Sequence, residues 1–328
     1  QICFVVRHGG LVGAEMYPTI GDALAHSIEL ARTAEAGGYE RVWYAEHHNM
    51  ASIASSATAV LIAHVAAHTA SIRLGAGGIM LPNHSPLVIA EQFGTLAELH
   101  PGRIDLGLGR APGSDMATFR ALRRDVSASD AFQTDILELQ QLLGDKLPRT
   151  AVNAYPGRGT RVPLYVLGSS MFGASLAAHL GLPYSFASHF APQLLTQAVA
   201  YYRANYRPSE DHPEPYVIAA VNVVAAADDR AAEALFARAE LDRVRRFLSR
   251  GREQELTADE AGALYDTPAG EQIREMLRYT AIGGPARVRE ELAAFAKHAD
   301  ADELITVHPA PTPAERLESV RLAAPLTP

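Results

Sequence analysis

The stretch from Ser71 to Asp115, SIRLGAGGIMLPNHSPLVIAEQFGTLAELHPGRIDLGLGRAPGSD, constrains the fold more than any other part of the chain. It holds two short apolar runs, 72–80 and 103–108, and each ends in glycine-rich sequence. Between them, residues 87–99 carry Val88, Ile89, Phe93, Leu96, Ala97 and Leu99 at helical spacing. Strand, turn, helix, strand is the sequence form of a βαβ unit. Both glycine-rich ends fall where a strand finishes and a helix is about to begin. In parallel α/β folds that edge carries the chemistry.

The remainder repeats the unit. Apolar runs at 2–6, 41–45, 164–168, 184–187, 216–225 and 303–307 read as further strands. Helical patterns cover 22–38, 55–69, 118–143 (with a break near 125–129), the segment after Ser170 to Leu180, 193–206, 228–249 and 313–322. Eight strands of similar length alternating with helices favour an α/β fold of the closed (β/α)8 TIM-barrel type over a doubly wound sheet. A chain of 328 residues fits one such domain, 1–328, and 48% hydrophobic content fills its core. Residues 251–284 break the alternation. They are polar, show no strand of their own, and read as a lid or a surface insertion after the seventh strand.

The same composition excludes several classes. A net charge of −8 with no basic run argues against a nucleic-acid surface. Cys3 is the only cysteine, so neither an intrachain disulfide nor a cysteine-based zinc site is available, and a reducing, cytoplasmic setting is expected. No apolar run approaches the ~18 residues of a membrane-spanning helix, and no signal peptide is legible.

Polar residues gather just past the expected strands: Glu46, His47 and His48; Asn83 and His84; Gly109 and Arg110; Ser169 and Ser170; Ser188 and His189; His308. In a barrel they converge on one mouth. Each also has a structural reading. Ser169-Ser170 suits a helix N-cap, Arg110 an ion pair, Gly75–Gly78 close backbone packing, and Glu46-His47-His48 a loop start bonded to backbone. Their recurrence at the same end of successive strands favours a site. His26, His64, His68, His100, His179 and His298 fall on expected helices and receive no role.

VWYAEHHNM, IRLGAGGIMLPNHSP, AEQFGTLAELHPGRIDLGLGRAPGSD and LYVLGSSMFGASLAAHLGLP, with ASHFAP and VNVVAA further on, resemble the bacterial luciferase-like flavin monooxygenases, most closely an alkanal-monooxygenase-like branch. The resemblance covers most of the chain. It implies a barrel, usually dimeric, that holds FMN or the deazaflavin F420 at its C-terminal mouth. It places Gly77-Gly78 at a non-prolyl cis peptide beneath the flavin ring and makes Arg110 a phosphate ligand. Ser169 and Ser170 match the phosphate loop, with the backbone N–H groups of Met171, Phe172 and Gly173 facing the phosphate. His47 matches the histidine active in oxygen chemistry, and Glu46 its orienting partner or a flavin contact. Ser169 stands where the luciferase catalytic subunit has glutamate, and the loop 7–16 matches no family pattern.

The implied function is a flavin-dependent monooxygenase. It uses reduced FMN from a separate flavin reductase, and O2, to oxidise a small organic substrate through a C4a-peroxyflavin. An F420-dependent oxidoreductase and a non-catalytic flavin-binding protein are the alternatives. A metal-dependent barrel hydrolase using Glu46, His47, His84, His189 and His308 ranks lower, and no metal is expected. Gly107-Leu-Gly109-Arg-Ala-Pro-Gly113 departs from a dinucleotide fingerprint in spacing, follows the fourth strand and places Pro112 where a helix should start.

Overall fold

The structure is a computed structural model that describes residues 2–4, 19–50, 53–111, 116–145, 152–249 and 256–325. The loop 7–16 lies outside the described residues. Among the described residues nine parallel strands alternate with helices: β1 (Ile2–Phe4), α1 (Ile20–Ala36), β2 (Arg41–Tyr44), α2 (Thr58–Ala66), β3 (Arg73–Met80), α3 (Pro86–Leu99), β4 (Ile104–Gly109), α4 (Met116–Ala121), α5 (Phe132–Leu143), β5 (Leu164–Gly168), α6 (Met171–Leu180), β6 (Tyr184–Phe186), α7 (Leu195–Asn205), β7 (Val217–Ala225), α8 (Asp229–Leu248), α9 (Ala258–Tyr265), α10 (Pro268–Glu275), β8 (Thr280–Gly283), α11 (Pro285–Ala299), β9 (Glu303–Val307) and α12 (Pro313–Leu322). The sheet runs β6-β5-β4-β3-β2-β1-β9-β7, and β6 pairs with β7 to close an eight-stranded barrel.

All eight expected barrel strands form, within a residue or two of their expected ends. The expected break in the fourth helix is a 3-10 turn, Val126–Ala131, between α4 and α5. Four elements, α9, α10, β8 and α11, have no counterpart in the expected order. Thr280–Gly283 is a strand, so the 251–284 segment does contribute one. β7 is nine residues long and outruns β6; its end, Asn222–Ala225, is left with an open edge that β8 pairs in parallel. Helix α9 packs beside α8, and both α9 and α10 contact it. Helix α11 was also missed, although Val288, Leu292, Phe295 and Ala299 form its buried stripe and Pro285 opens it.

Strand alternation separates two cores. On β7, Val217, Ala219, Val221, Val223 and Ala225 face the helices, while Ile218 and Ala220 join Trp43, Tyr165, Ile305 and Val307 inside the barrel. A polar network fills the N-terminal end of the interior. The Arg41 guanidinium donates to Asp105 (3.0 Å), Tyr165 (2.9 Å) and Glu303 (3.2 Å), and the Trp43 indole donates to Asp105 (3.0 Å). Arg73 also pairs with Asp105, and Tyr216 donates to Glu303. Arg41, Arg73 and Glu303 open their strands and Tyr216 precedes β7, while Asp105 and Tyr165 are second in theirs and Trp43 third. Paired charges fill that end of the interior, and the cavity lies at the opposite end.

Candidate active site

The C-terminal mouth opens into a cavity of about 480 Å³. Its floor comes from the inward-facing ends of the strands: Ala45, Gly77, Gly78, Gly109, Leu167, Ser185, Ala220 and Ile305. Most are small, and that leaves the space. Close strand approach makes some of the glycines obligatory. A Cβ on Gly78 would sit 2.7 Å from the Gly107 carbonyl oxygen, and one on Gly107 would sit 2.3 Å from that of Ala76. Here the β3–β4 register slips, from Ala76 opposite Leu106 to Ile79 opposite Leu108, so β3 carries an extra residue at Gly77–Gly78. The Gly77–Gly78 peptide bond is cis.

One end of the cavity gathers hydrogen-bond donors and a positive charge. Arg110, just past β4, lays its guanidinium 4.1 Å from the ring centroid of Phe172 on α6, and its Nε donates to the Ser129 carbonyl. Ser169, Ser170, Phe172 and Gly173 line the same end. Ser170 occupies the N-cap of α6, but its side chain caps none of the first-turn N–H groups. Those donors, the helix dipole and a guanidinium fork are groups that could hold an anion. A Cβ on Gly173 would meet the Tyr184 ring at 3.2 Å, so glycine lets α6 pack close to β6. Ile53, Met80, Phe132 and Phe190 supply apolar walls, and His47 and His189 line the cavity. His47 follows β2 and His189 follows β6, four strands apart in either direction round the barrel.

Glu46 does not appear among the described residues lining the cavity. On β2, Trp43 and Ala45 face inward, so Glu46 faces outward, over the end of β3. Its Oε1 accepts from Nε2 of His48 (2.7 Å) and of His84 (2.8 Å), and its Oε2 accepts from the Met80 N–H (3.1 Å). Burial alone would raise its pKa, but the hydrogen bonds from His48 and His84, the charge of His84 and the Met80 N–H outweigh it and lower it to about 2. Glu46, His48 and His84 are also the one group among the described residues whose ligand-type atoms come together as a metal site would need. The set expected for a metal hydrolase does not assemble: His308 points outward, its ring bonded to Ser319 (2.8 Å) and Thr306 (3.1 Å), and burial followed by the nearby charge of Arg316 lowers its pKa to about 3.

A family model described as luciferase-like monooxygenase matches residues 2–302. The chain belongs to the luciferase-like monooxygenases. It is 48% identical over 287 residues to a luciferase-like monooxygenase of Escherichia coli (strain K12), covering 87% of this chain and 85% of that one. The crystal structure of apo-MsnO8 superposes with a TM-score of 0.84 at 37% identity, covering 98% of this chain and 96% of that one. Two further structures share the fold alone. The oxygenating constituent of 3,6-diketocamphane monooxygenase from Pseudomonas putida, in complex with FMN, gives a TM-score of 0.68 at 18% identity and covers 98% of each chain. An F420-dependent secondary alcohol dehydrogenase with an F420-acetone adduct gives 0.67 at 19% and covers 98% of this chain and 97% of that one.

For this luciferase-like chain, the cavity gathers His47, Gly77, Gly78, Arg110, Ser169, Ser170, Phe172 and Gly173. Met171 opens α6 and packs against the core. Ser185 and Phe190 carry no expectation from sequence, and His189 is read there only as a residue of the mouth and of the lower-ranked metal set. The alternation Ser185, Ala187, His189 along and beyond β6 was the available signal, because every second residue of a barrel strand faces inward.

Proposed function

We propose that this protein is a flavin-dependent monooxygenase that takes reduced FMN and O2 and oxidises a small organic substrate in the cavity at the barrel mouth. The observation that carries the reading is one cavity with two kinds of lining: Arg110 and the start of α6 on one side, and a glycine-floored apolar remainder. FMN fits that donor set. Arg110, Ser169, Ser170 and the first N–H groups of α6 would hold its phosphate, and the Gly77–Gly78 backbone would back its ring, because no side chain stands there. When bound, reduced flavin supplies the electrons that activate O2.

The chain's own residues do the rest. Ile53, Met80, Phe132, Leu167 and Ile305 exclude water from the cavity. The His47 imidazole, in the cavity wall, gives or takes a proton at a ring nitrogen as oxygen is reduced. Reduced FMN would come from a separate flavin reductase. A homodimer belongs to the same proposal, supported by the exposed apolar Val60 on α2 (71%) and Leu99 on α3 (64%).

Anaerobic titration with reduced FMN and with reduced F420, followed by 18O2 and mass spectrometry of the products from a panel of small ketones, aldehydes and thioethers, tests this reading. FMN binding with 18O in a product supports it. Tight F420 binding without 18O incorporation assigns a deazaflavin oxidoreductase. FMN retention with no product at all assigns a flavin-binding protein.

A further inference from the structure

Beyond β2 and β3 proper, one carboxylate takes over the work of the ladder. The β2–β3 pairing ends at Tyr44 opposite Ala76. The extra residue at Gly77–Gly78 then shifts the backbone of β3 by one residue against β4. On the β4 side pairing resumes at Ile79 opposite Leu108, but the β2–β3 pairing does not, so the β3 polar groups that face β2 beyond the bulge need other partners. Glu46 provides them from both its main chain and its side chain. Its N–H donates to the Gly78 carbonyl (3.4 Å), and its carboxylate accepts the Met80 N–H. It therefore grips β3 on each side of Ile79. The same carboxylate is fixed by His48, two residues along its own chain, and by His84, from the turn after β3. An ionised carboxylate only accepts, so both imidazoles donate from Nε2. Glu46 is 1% exposed and lies behind the cavity wall.

We propose that Glu46 is the positioning residue of the cavity floor, holding the Gly77–Gly78 backbone in the place where it backs the bound flavin, with His48 and His84 holding Glu46. This assigns Glu46 no contact with the cofactor or the reacting atoms. It rests on the reading that the cavity binds a flavin. Gly77 and Gly78 carry no side chains through which neighbours could anchor them, so their position depends on main-chain bonds. A floor misplaced by a fraction of an ångström weakens every contact made against it.

The test is oxidised FMN binding to wild type, Glu46→Gln, Glu46→Ala and Asp105→Asn, read by quenching of flavin fluorescence and by visible circular dichroism of the bound flavin. Each variant's melting temperature without FMN is measured alongside. Asp105 lies in the buried network at the other end of the barrel, so its variant loses stability without touching the mouth. Glu46→Ala should weaken FMN about ten-fold or more and change the bound flavin's dichroism at saturation. Glu46→Gln, which keeps one oxygen for the Met80 N–H, should recover part of both. Asp105→Asn should keep the wild-type affinity and dichroism.

Unchanged affinity and dichroism in Glu46→Ala overturn the proposal. If that variant does not fold, unchanged values in Glu46→Gln do the same. Equal loss in Asp105→Asn at a matched melting temperature also overturns it, because the effect is then global stability. A wild-type protein that binds neither FMN nor F420 defeats the flavin reading instead, and is recognised before any variant is made.

Discussion

Replacing Gly78 by alanine tests whether the cavity floor is set by strand packing. The new Cβ would stand 2.7 Å from the Gly107 oxygen, 2.8 Å from its carbonyl carbon and 3.0 Å from the Leu108 nitrogen. All three are backbone atoms of β4, a central strand paired on both sides, so no flexible side chain can yield. Ordinary contact begins at 3.4 Å, so the strands must part by about 0.7 Å. Overpacking of this kind costs about 2–3 kcal/mol. An unfolding entropy of roughly 2.1 cal/mol/K per residue gives about 0.7 kcal/mol/K for 328 residues. The expected fall in melting temperature is therefore about 3–4 °C. Parting β3 from β4 also moves the floor, so FMN affinity should drop about 10–100-fold. Differential scanning fluorimetry and fluorescence titration read the two effects. Gly262→Ala is the control, because nothing lies within 4 Å of its Cβ and alanine suits a helix better. A Gly78→Ala protein with wild-type melting temperature refutes the packing argument, and one with lowered melting temperature but wild-type FMN affinity refutes the floor.

Other substitutions separate the remaining parts. Arg110→Lys keeps the charge but loses the fork and the guanidinium's place over Phe172, so FMN affinity should fall about ten-fold while riboflavin, which lacks the phosphate, binds as before. An equal fall for both ligands would show that Arg110 does not read the phosphate. Asp105→Asn leaves Arg41 and Arg73 short of a buried counter-charge and should cost about 3–5 kcal/mol by denaturant melts; a neutral result would mean that Glu303 alone satisfies Arg41. Acid should unfold the protein in two overlapping steps. His308, neutral in the fold with its pKa near 3 against an ordinary 6.5, contributes stability that is complete above about pH 6.5 and lost as pH falls towards 3. Glu46, ionised with its pKa near 2 against 4.5, contributes stability that is lost between about pH 4.5 and 2. His308→Asn should flatten the stability profile between pH 6.5 and 3, and an unaltered slope would remove His308 from the account. Incubation with EDTA should leave FMN affinity unchanged, because two imidazoles already occupy Oε1 of Glu46; a stoichiometric metal in the purified protein by elemental analysis would contradict this.

Much of the barrel was legible because its information is local. Apolar runs of strand length, helical stripes such as that of α3, and glycines at strand ends each depend on residues close together in sequence. Apart from α11, whose stripe is local, what escaped is what depends on partners. β8 has only four residues, with no alternation strong enough to mark it, and exists because β7 is longer than β6 and leaves an edge to pair. His308 sits just past a strand, as His47 does, yet it faces α12 because Ile305 and Val307 already hold the inward positions. Glu46 and His47 are neighbours in sequence and lie on opposite sides of the wall for the same reason.

Sequence by itself determined the alternating elements, the eight-fold repeat and the residue types available at one end of the strands, because periodicity and turn chemistry act over a few residues. Only the tertiary structure decided which of those residues share the cavity. That choice depends on strand register and on which face each side chain takes, and a one-residue slip, as at Gly77–Gly78, exchanges inside for outside.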